Sequence, residues 1–395
     1  MRRYQIVLIF LITLSLNVNV LFAQSSKSKK IVPGAERTWV YLPFIGDKPF
    51  AVVANHTSLV KGTSLVDTLV SLRYNLKKIF CPEHGFRGDS DAGAYIYNST
   101  DSVTGLPVIS LYGNHKKPLP DELEDVDIIV FDLQDVGTRF YTYISTLTYV
   151  MEACAENNKT LVILDRPNPN GFYIDGPVLE KGYESFVGMH HVPVVHGMTI
   201  AEYARMVNEE GWINGEVNMV WVKCLNYDHK SLYHVPVRPS PNLPNMDAIY
   251  LYPSLCFFEG TVVSVGRGTN KQFQIFGHPL MKKGDYHFIP YPNVGSKYPK
   301  HEGKECVGYD IQSFGTEFQP LMREINLDWL IESYNELADT TEFFNKYFDK
   351  LAGTDKLRKK IISGWDAKRI RDSWQEDIKE YKEIRKRYLL YKDFE

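Results

Sequence analysis

No CxxC and no Cys/His ligand spacing occurs in this sequence: its five cysteines, Cys81, Cys154, Cys224, Cys256 and Cys306, are scattered and odd in number. That argues against a structural zinc site and leaves thiols that read as small buried hydrophobes. Their spacing assigns no disulfide. Charge of one sign is also scarce. Lys and Arg total 45 against 48 Asp and Glu, a net charge of −3, so no long-range field draws the chain onto nucleic acid or an anionic membrane. Internal repeats and low-complexity tracts are missing. Beyond the first residues, no apolar run approaches the ~20 needed to span a bilayer. What is present is a chain of 395 residues, 44 % hydrophobic, with 25 Tyr and 21 Phe. That composition excludes disorder, and the length fits two domains or one domain with an appendage.

The first 23 residues stand apart. Arg2 and Arg3 form a basic start, Ile6 to Leu16 an apolar run, and Leu21-Phe22-Ala23 places a small residue before the polar stretch that begins at Gln24. This is the pattern of a secretory signal peptide over residues 1–23. The apolar core is too short for a membrane anchor and is interrupted by Asn17 and Asn19. Loss of the two arginines takes the net charge from −3 to −5. The expectation is an exported protein, periplasmic or secreted, with no stable membrane anchor.

From Phe50 to about Asn170 short apolar runs alternate with helical periodicity. The runs are Phe50–Ala54, Lys78–Cys81, Leu106–Leu111, Val126–Leu133 and Thr160–Leu164. Leu65, Val66, Leu69 and Leu72, then Ile144, Leu147, Met151 and Cys154, keep helical spacing. Continuous apolar strands separated by helices imply a parallel sheet covered on both faces, a doubly wound α/β domain. Thr199 and Glu202 form a capping box at the head of a further helix. Val217–Val222 reads as another strand. Four prolines between Pro236 and Pro244 mark a domain boundary. Past it come a segment rich in Gly and aromatics and about 70 helical, charged residues. There Lys356–Tyr391 reads as a solvated amphipathic helix or pair. The expected division is residues 36–238 for the sheet domain and 239–395 for a smaller α+β domain with a helical tail.

In an open parallel sheet, ligands bind beyond the carboxyl ends of the strands. Polar residues follow four of these strands directly: Asn55-His56-Thr57, Glu83-His84-Gly85-Phe86-Arg87, the stretch from Asp132 through Asp135 and Arg139 to Tyr141 and Tyr143, and Asp165-Arg166-Pro167-Asn168. No GxGxxG follows the first strand, and no P-loop and no GxSxG elbow are present, which argues against dinucleotide, nucleotide and α/β-hydrolase chemistry. The remainder is rich in carboxylates. A glycosidase needs one carboxyl group as acid and a second group as base or nucleophile. A metal hydrolase needs several His/Asp/Glu ligands and a water. Glu83, at the end of an apolar strand and beside Phe86, is the sharpest candidate acid; its alternative is an ion pair with Arg87. Asp132 and Asp135 are candidate partners. Their alternatives are a helix cap near Thr138 and an ion pair between Asp135 and Arg139, four residues apart. His56 and His84 read as hydrogen-bonding positioners. Further on, Gly266-Arg267-Gly268-Thr269-Asn270 offers a guanidinium between glycines, suited to a carboxylate or to an ordinary turn.

Five ordered motifs, Pro82–Gly88, Asp132–Tyr143, Asp165–Gly171, Pro239–Pro244 and Glu259 to Thr269, together resemble the exo-β-N-acetylmuramidase (NamZ-type) family of glycoside hydrolases. The resemblance runs from about Arg37 to the C-terminus. It implies a Rossmann-like N-terminal domain, a smaller C-terminal domain, and a cleft between them. The implied reaction is removal of β-linked N-acetylmuramic acid from the non-reducing end of peptidoglycan fragments, with Glu83 as the catalytic glutamate and no cofactor or metal. N-acetylmuramic acid carries a lactyl carboxylate, so selectivity needs a cation: Arg87, Arg139 or Arg267. The expected substrate-binding set is completed by Asn55, His56, His84, Tyr141, Tyr143, Asp165, Asn168 and Asn270. The rival readings are a metal-dependent hydrolase using His56, Glu83, His84 and Asp132, and a non-catalytic muropeptide-binding protein.

Overall fold

The computed structural model describes residues 29–83, 85–87 and 99–395. The proposed leader and His84 lie outside the described residues. Seven strands build the main sheet: β1 Phe50–Ala54, β2 Leu76–Cys81, β3 Ser99–Thr100, β4 Pro107–Ser110, β5 Ile128–Asp132, β6 Thr160–Leu164 and β7 Met219–Val222. Their spatial order is β3-β4-β2-β1-β5-β6-β7. All neighbours pair in parallel except the short β3, which runs antiparallel to β4 at the edge. The chain winds outward from β1 in one direction and then, from β5, in the other. Strand order therefore reverses between β1 and β5, the switch point of a doubly wound sheet.

The continuous apolar strands follow from burial on both sides. In β1, Ala51 and Val53 join one core while Phe50, Val52 and Ala54 join the opposite one. The same alternation separates Ile129 and Phe131 from Ile128 and Val130 in β5. The smaller core is covered by α1 Thr38–Ile45 and α2 Leu65–Ser71. The larger lies under α3 Tyr143–Glu156 and α4 Ile200–Glu209. It continues without a break into α5 Met246–Leu255, α6 Asp328–Leu337, α7 Phe348–Ala352 and α8 Gln375–Lys386. A three-stranded antiparallel sheet, β8 Ile275–His278, β9 Tyr286–Phe288 and β10 Cys306–Asp310, flanks these helices in the order β8-β10-β9. Val32–Glu395 is one compact unit. The five cysteines are buried and unpaired. Among the described residues no helix is long and apolar enough to cross a membrane.

The charged tail differs from the solvated helix expected for it. It forms three helices, Lys356–Ile362, Ala367–Asp372 and α8, whose Ile370, Trp374, Ile378 and Tyr381 are buried in the larger core. Arg385 is fully buried: Nη2 and Nε donate to the Gly197 carbonyl at 2.7 and 3.0 Å, and Asp393 neutralises it. At the head of α4 the predicted capping box is present, with Thr199 N–H donating to Glu202 Oε2 at 2.9 Å. Glu202 also receives the Leu390 N–H at 2.8 Å and faces His229. Nearby, the Tyr391 hydroxyl donates to Asp165 Oδ2 at 2.6 Å. The last residues are thus fastened to the sheet end of the molecule.

Candidate active site

The site lies beyond the carboxyl ends of β1, β2 and β5, beside the switch point. Glu83 comes two residues after β2 and is half-buried. It lines a cleft of about 480 Å³ with Tyr112, Phe186, Glu259, Arg267 and Tyr347, and a smaller adjoining recess with Tyr141, Tyr143, Ser240, Asn242 and Phe273. Glu83, Phe140, Thr142, Tyr252 and Arg267 border both spaces. The carboxylate therefore stands at their junction. Burial, and then the Glu83 carboxylate hydrogen-bonded to it, raise the Tyr112 phenol well above its usual value. Burial raises Tyr143 and Tyr347 as well, with Glu83 adding to both. The acid thus sits among phenols that stay protonated and able to donate.

Arg267 is the cation on this cleft that the sequence proposed. Its Nε donates to Glu259 Oε1 at 3.1 Å, and its guanidinium lies over the Phe273 ring at 5.2 Å. Burial opposes its charge, but Glu259 and more weakly Glu83 hold its pKa above the usual value. The segment carrying Glu259 is a 3-10 turn, Cys256–Gly260, at the end of α5. Lys300 fixes it: its ammonium donates to the carbonyls of Phe258, Glu259, Thr261 and Val263 at 2.7 to 3.3 Å. Four carbonyls replace water around that ammonium, and burial lowers its pKa.

Asn55 and Tyr143 are coupled at the end of β1. Asn55 Nδ2 donates to the Tyr143 hydroxyl at 2.7 Å, while its Oδ1 receives the Thr57 hydroxyl at 2.6 Å. The Tyr141 hydroxyl donates to the Pro239 carbonyl at 2.9 Å, and the two rings meet edge to face at 4.7 Å. His56 Nε2 bonds the Arg238 carbonyl at 2.8 Å. The proline-rich segment proposed as a boundary is therefore strapped across the strand ends, and it supplies Ser240, Asn242 and Leu243 to the recess wall.

The candidate acids Asp132 and Asp135 do not line the cleft. Asp132 is fully buried at the end of β5, and both its oxygens are taken by Arg166, at 2.6 and 2.9 Å. Asp135 Oδ2 accepts the Gly137 N–H at 2.6 Å, and His196 Nε2 stands 3.8 Å from it. Burial pushes the Asp135 carboxyl up to about 7 and pulls His196 down to about 3. Gly137 has φ +79°, and a Cβ there would lie 2.1 Å from Asn168 Oδ1, so only glycine closes this turn. Asp165 is engaged by Ala201 N–H at 3.0 Å and by Tyr391. Asn168 donates to the Met198 carbonyl at 2.8 Å and accepts the Asn170 N–H at 2.8 Å. Asn270 is exposed and outside both linings. Asp132, Asp135, Asp165 and Asn168 thus brace the strand ends, and neither they nor Asn270 border the cavity.

Two of the three candidate arginines are likewise committed elsewhere. Arg87 grips Asp101 at 3.0 and 2.8 Å and Asp67 at 3.1 Å. Arg139 is fully buried, and among the described residues it forms no ion pair with Asp135. Its Nη1 donates to the Pro177 and Val192 carbonyls, both at 2.8 Å, and its Nη2 to those of Leu351 and Ala352 at 2.9 and 2.7 Å. Burial lowers this guanidinium to about 9, so it remains charged at neutral pH. Tyr112, Tyr252 and Tyr347 are cleft residues that sequence reasoning missed, as are Lys116 and Lys350. Glu259 opens a quoted motif, whereas the others carry no local signal. Among the described residues no three His, Cys, Asp or Glu side chains are grouped to hold a metal ion.

Residues 50–247 match the model described as exo-β-N-acetylmuramidase NamZ, N-terminal, and residues 250–391 the corresponding C-terminal model. The chain is 36 % identical over 394 aligned positions to the peptidoglycan β-N-acetylmuramidase NamZ of Bacillus subtilis (strain 168), with 93 % of each chain covered. Two solved structures of DUF1343 family proteins from Bacteroides fragilis NCTC 9343 share the fold. One has a TM-score of 0.86 at 44 % identity, covering 92 % of this chain and all of that one. The other has a TM-score of 0.78 at 30 % identity, covering 92 % and 99 %. Both halves of the chain and the motif that carries Glu83 fall inside these matches, and the chain belongs to the exo-β-N-acetylmuramidase NamZ family.

Proposed function

We infer that this protein is a glycosidase that releases β-linked N-acetylmuramic acid from the non-reducing end of peptidoglycan fragments. The observation that carries the assignment within the family is the position of Glu83, at the junction of two adjoining spaces whose walls it shares with Arg267. A glycosidic oxygen held at that junction receives the Glu83 proton as the C1–O bond breaks, and water then supplies the hydroxyl at C1. Arg267 keeps its Nε on Glu259 and a face over Phe273, and offers its Nη edge to the lactyl carboxylate that distinguishes muramic acid from glucosamine. With Asp132 locked to Arg166, the second role falls to Glu259, which lines the same cleft, or to the substrate's own acetamido group. Tyr112, Phe186 and Tyr347 supply aromatic faces for the sugar rings.

The leader pattern at residues 1–23 supports action outside the cytoplasm, in the periplasm or after secretion, where such fragments arise. The test uses the purified mature protein and a chromogenic β-N-acetylmuramide. Wild type releases the sugar with and without chelator, and Glu83→Gln abolishes release while keeping the melting temperature. Near-normal turnover by Glu83→Gln refutes the assignment. Loss on chelation favours a metal hydrolase, and binding without release a muropeptide receptor.

A further inference from the structure

Two lysines on the cleft have no part in the chemistry above. Lys116 follows β4, and its ammonium lies 4.7 Å from the centre of the Phe186 ring. Lys350 belongs to α7, three residues beyond Tyr347, and is exposed. They come from opposite halves of the chain, yet both line the cleft that contains Glu83. Neither takes part in an ion pair among the described residues, whereas Lys117, next in sequence, is paired with Glu152 and Glu156. With the charges of Arg267 and Glu259 offsetting each other, the described lining carries two ammonium groups outside any ion pair against one further carboxylate, Glu83. Among the described residues, the lining on this chain of net charge −3 is thus positive. When Glu83 carries the proton it donates, the surplus grows by one.

The positions matter as much as the count. Lys116 and Lys350 border only the larger space and not the recess walled by Tyr141, Tyr143 and Asn242. The larger space also holds the aromatic platform of Phe186, which is stacked on Tyr149 at 6.2 Å and close to Tyr112 at 6.4 Å. An aromatic face flanked by cations suits a sugar that carries a carboxylate. We propose that this space binds the fragment left behind by the cleavage, and that Lys116 and Lys350 recognise a carboxylate on it. This rests on the glycosidase assignment and adds a second acidic group to the substrate. The enzyme would then read one carboxylate on the departing sugar, through Arg267, and another on the fragment that remains.

The test compares substrates that share the terminal muramic acid. They are an aryl glycoside with a neutral leaving group, a trisaccharide whose reducing-end muramic acid has a free carboxylate, the same trisaccharide with that carboxylate amidated, and a version bearing a stem peptide. In Lys116→Ala/Lys350→Ala, kcat/KM should fall about tenfold further on the carboxylate-bearing fragments than on the neutral or amidated ones, mostly through KM. The gap should narrow at high salt, and Lys→Arg at both positions should restore it. A penalty on the bare trisaccharide identifies the lactyl group as the ligand; a penalty confined to the peptide-bearing fragment identifies the stem peptide. An equal loss on all substrates overturns the proposal. Should the wild type cleave none of them, the glycosidase assignment fails instead. Calorimetric binding of the free-acid and amidated trisaccharides to wild type and the double variant then still reports whether the lysines read a carboxylate.

Discussion

Asp132→Asn separates a structural acid from a catalytic one. In the native protein Asp132 and Arg166 are 0 % and 2 % exposed at their side chains and joined through both carboxylate oxygens. Asparagine keeps the shape but removes the charge, leaving a buried guanidinium uncompensated. Breaking a buried pair from one side costs about 3–5 kcal/mol. The unfolding entropy of a unit of roughly 360 residues is about 0.76 kcal/mol/K near the transition, so the melting temperature should fall by about 4–7 °C. Differential scanning calorimetry reads that shift. Turnover measured well below the transition should stay within a few-fold of wild type, since neither oxygen of Asp132 reaches the cleft. Replacing both partners by apolar residues of similar volume, Asp132→Leu with Arg166→Met, should recover most of the lost stability. A variant that melts like wild type but has lost activity would show that Asp132 acts on substrate, and the assignment of Glu83 without it would be wrong.

Three other outcomes follow from the same geometry. Arg267→Lys removes the planar fork, and kcat/KM on the muramide should fall roughly 10- to 150-fold, the worth of a charge-assisted bidentate contact; a change under twofold places the lactyl carboxylate elsewhere. Arg139→Met strips donors from four carbonyls and should lower stability by about 3–5 kcal/mol in denaturant titrations, with a normal KM in the folded fraction; an unchanged midpoint refutes the clasp. Asp135 has a folded value near 7, raised from 3.8 by burial, so the folded state binds the extra proton and its contribution is lost as pH rises from about 4 through 7. Asp135→Asn should flatten that part of the stability-versus-pH curve relative to wild type, and parallel curves would contradict it.

The sheet could be read from the chain because a strand buried on both faces must be apolar throughout, and Phe50–Ala54 and Ile128–Phe131 are. Glu83 could be read for a related reason: a carboxylate just past such a strand falls at the edge where ligands bind. The arginines were harder. A guanidinium chooses its partner in three dimensions, and Arg139 finds carbonyls at Leu351 and Ala352, more than two hundred positions away. Local spacing offered it Asp135, which instead closes a turn on Gly137. Tyr112, Lys116 and Lys350 stand in segments with no motif, and only the fold brings them beside Glu83. In the tail, charges spaced for a solvated helix concealed Tyr381 and Arg385. Their burial depends on acceptors far away in the chain, the carbonyls of His196 and Gly197, which receive their donors.

The fastening of Leu390 and Tyr391 bears on how far the two halves of the chain depend on each other. Asp165 and Glu202 form part of the earlier half of the chain, yet Tyr391 and Leu390 supply hydrogen bonds to them. Without those donors, two fully buried carboxyl groups at the sheet end would be left under-satisfied. The earlier half can bury its apolar side chains by itself but cannot complete the hydrogen bonding of these two groups. The two halves should therefore unfold as one cooperative unit, and neither would reach its native state as a separate fragment.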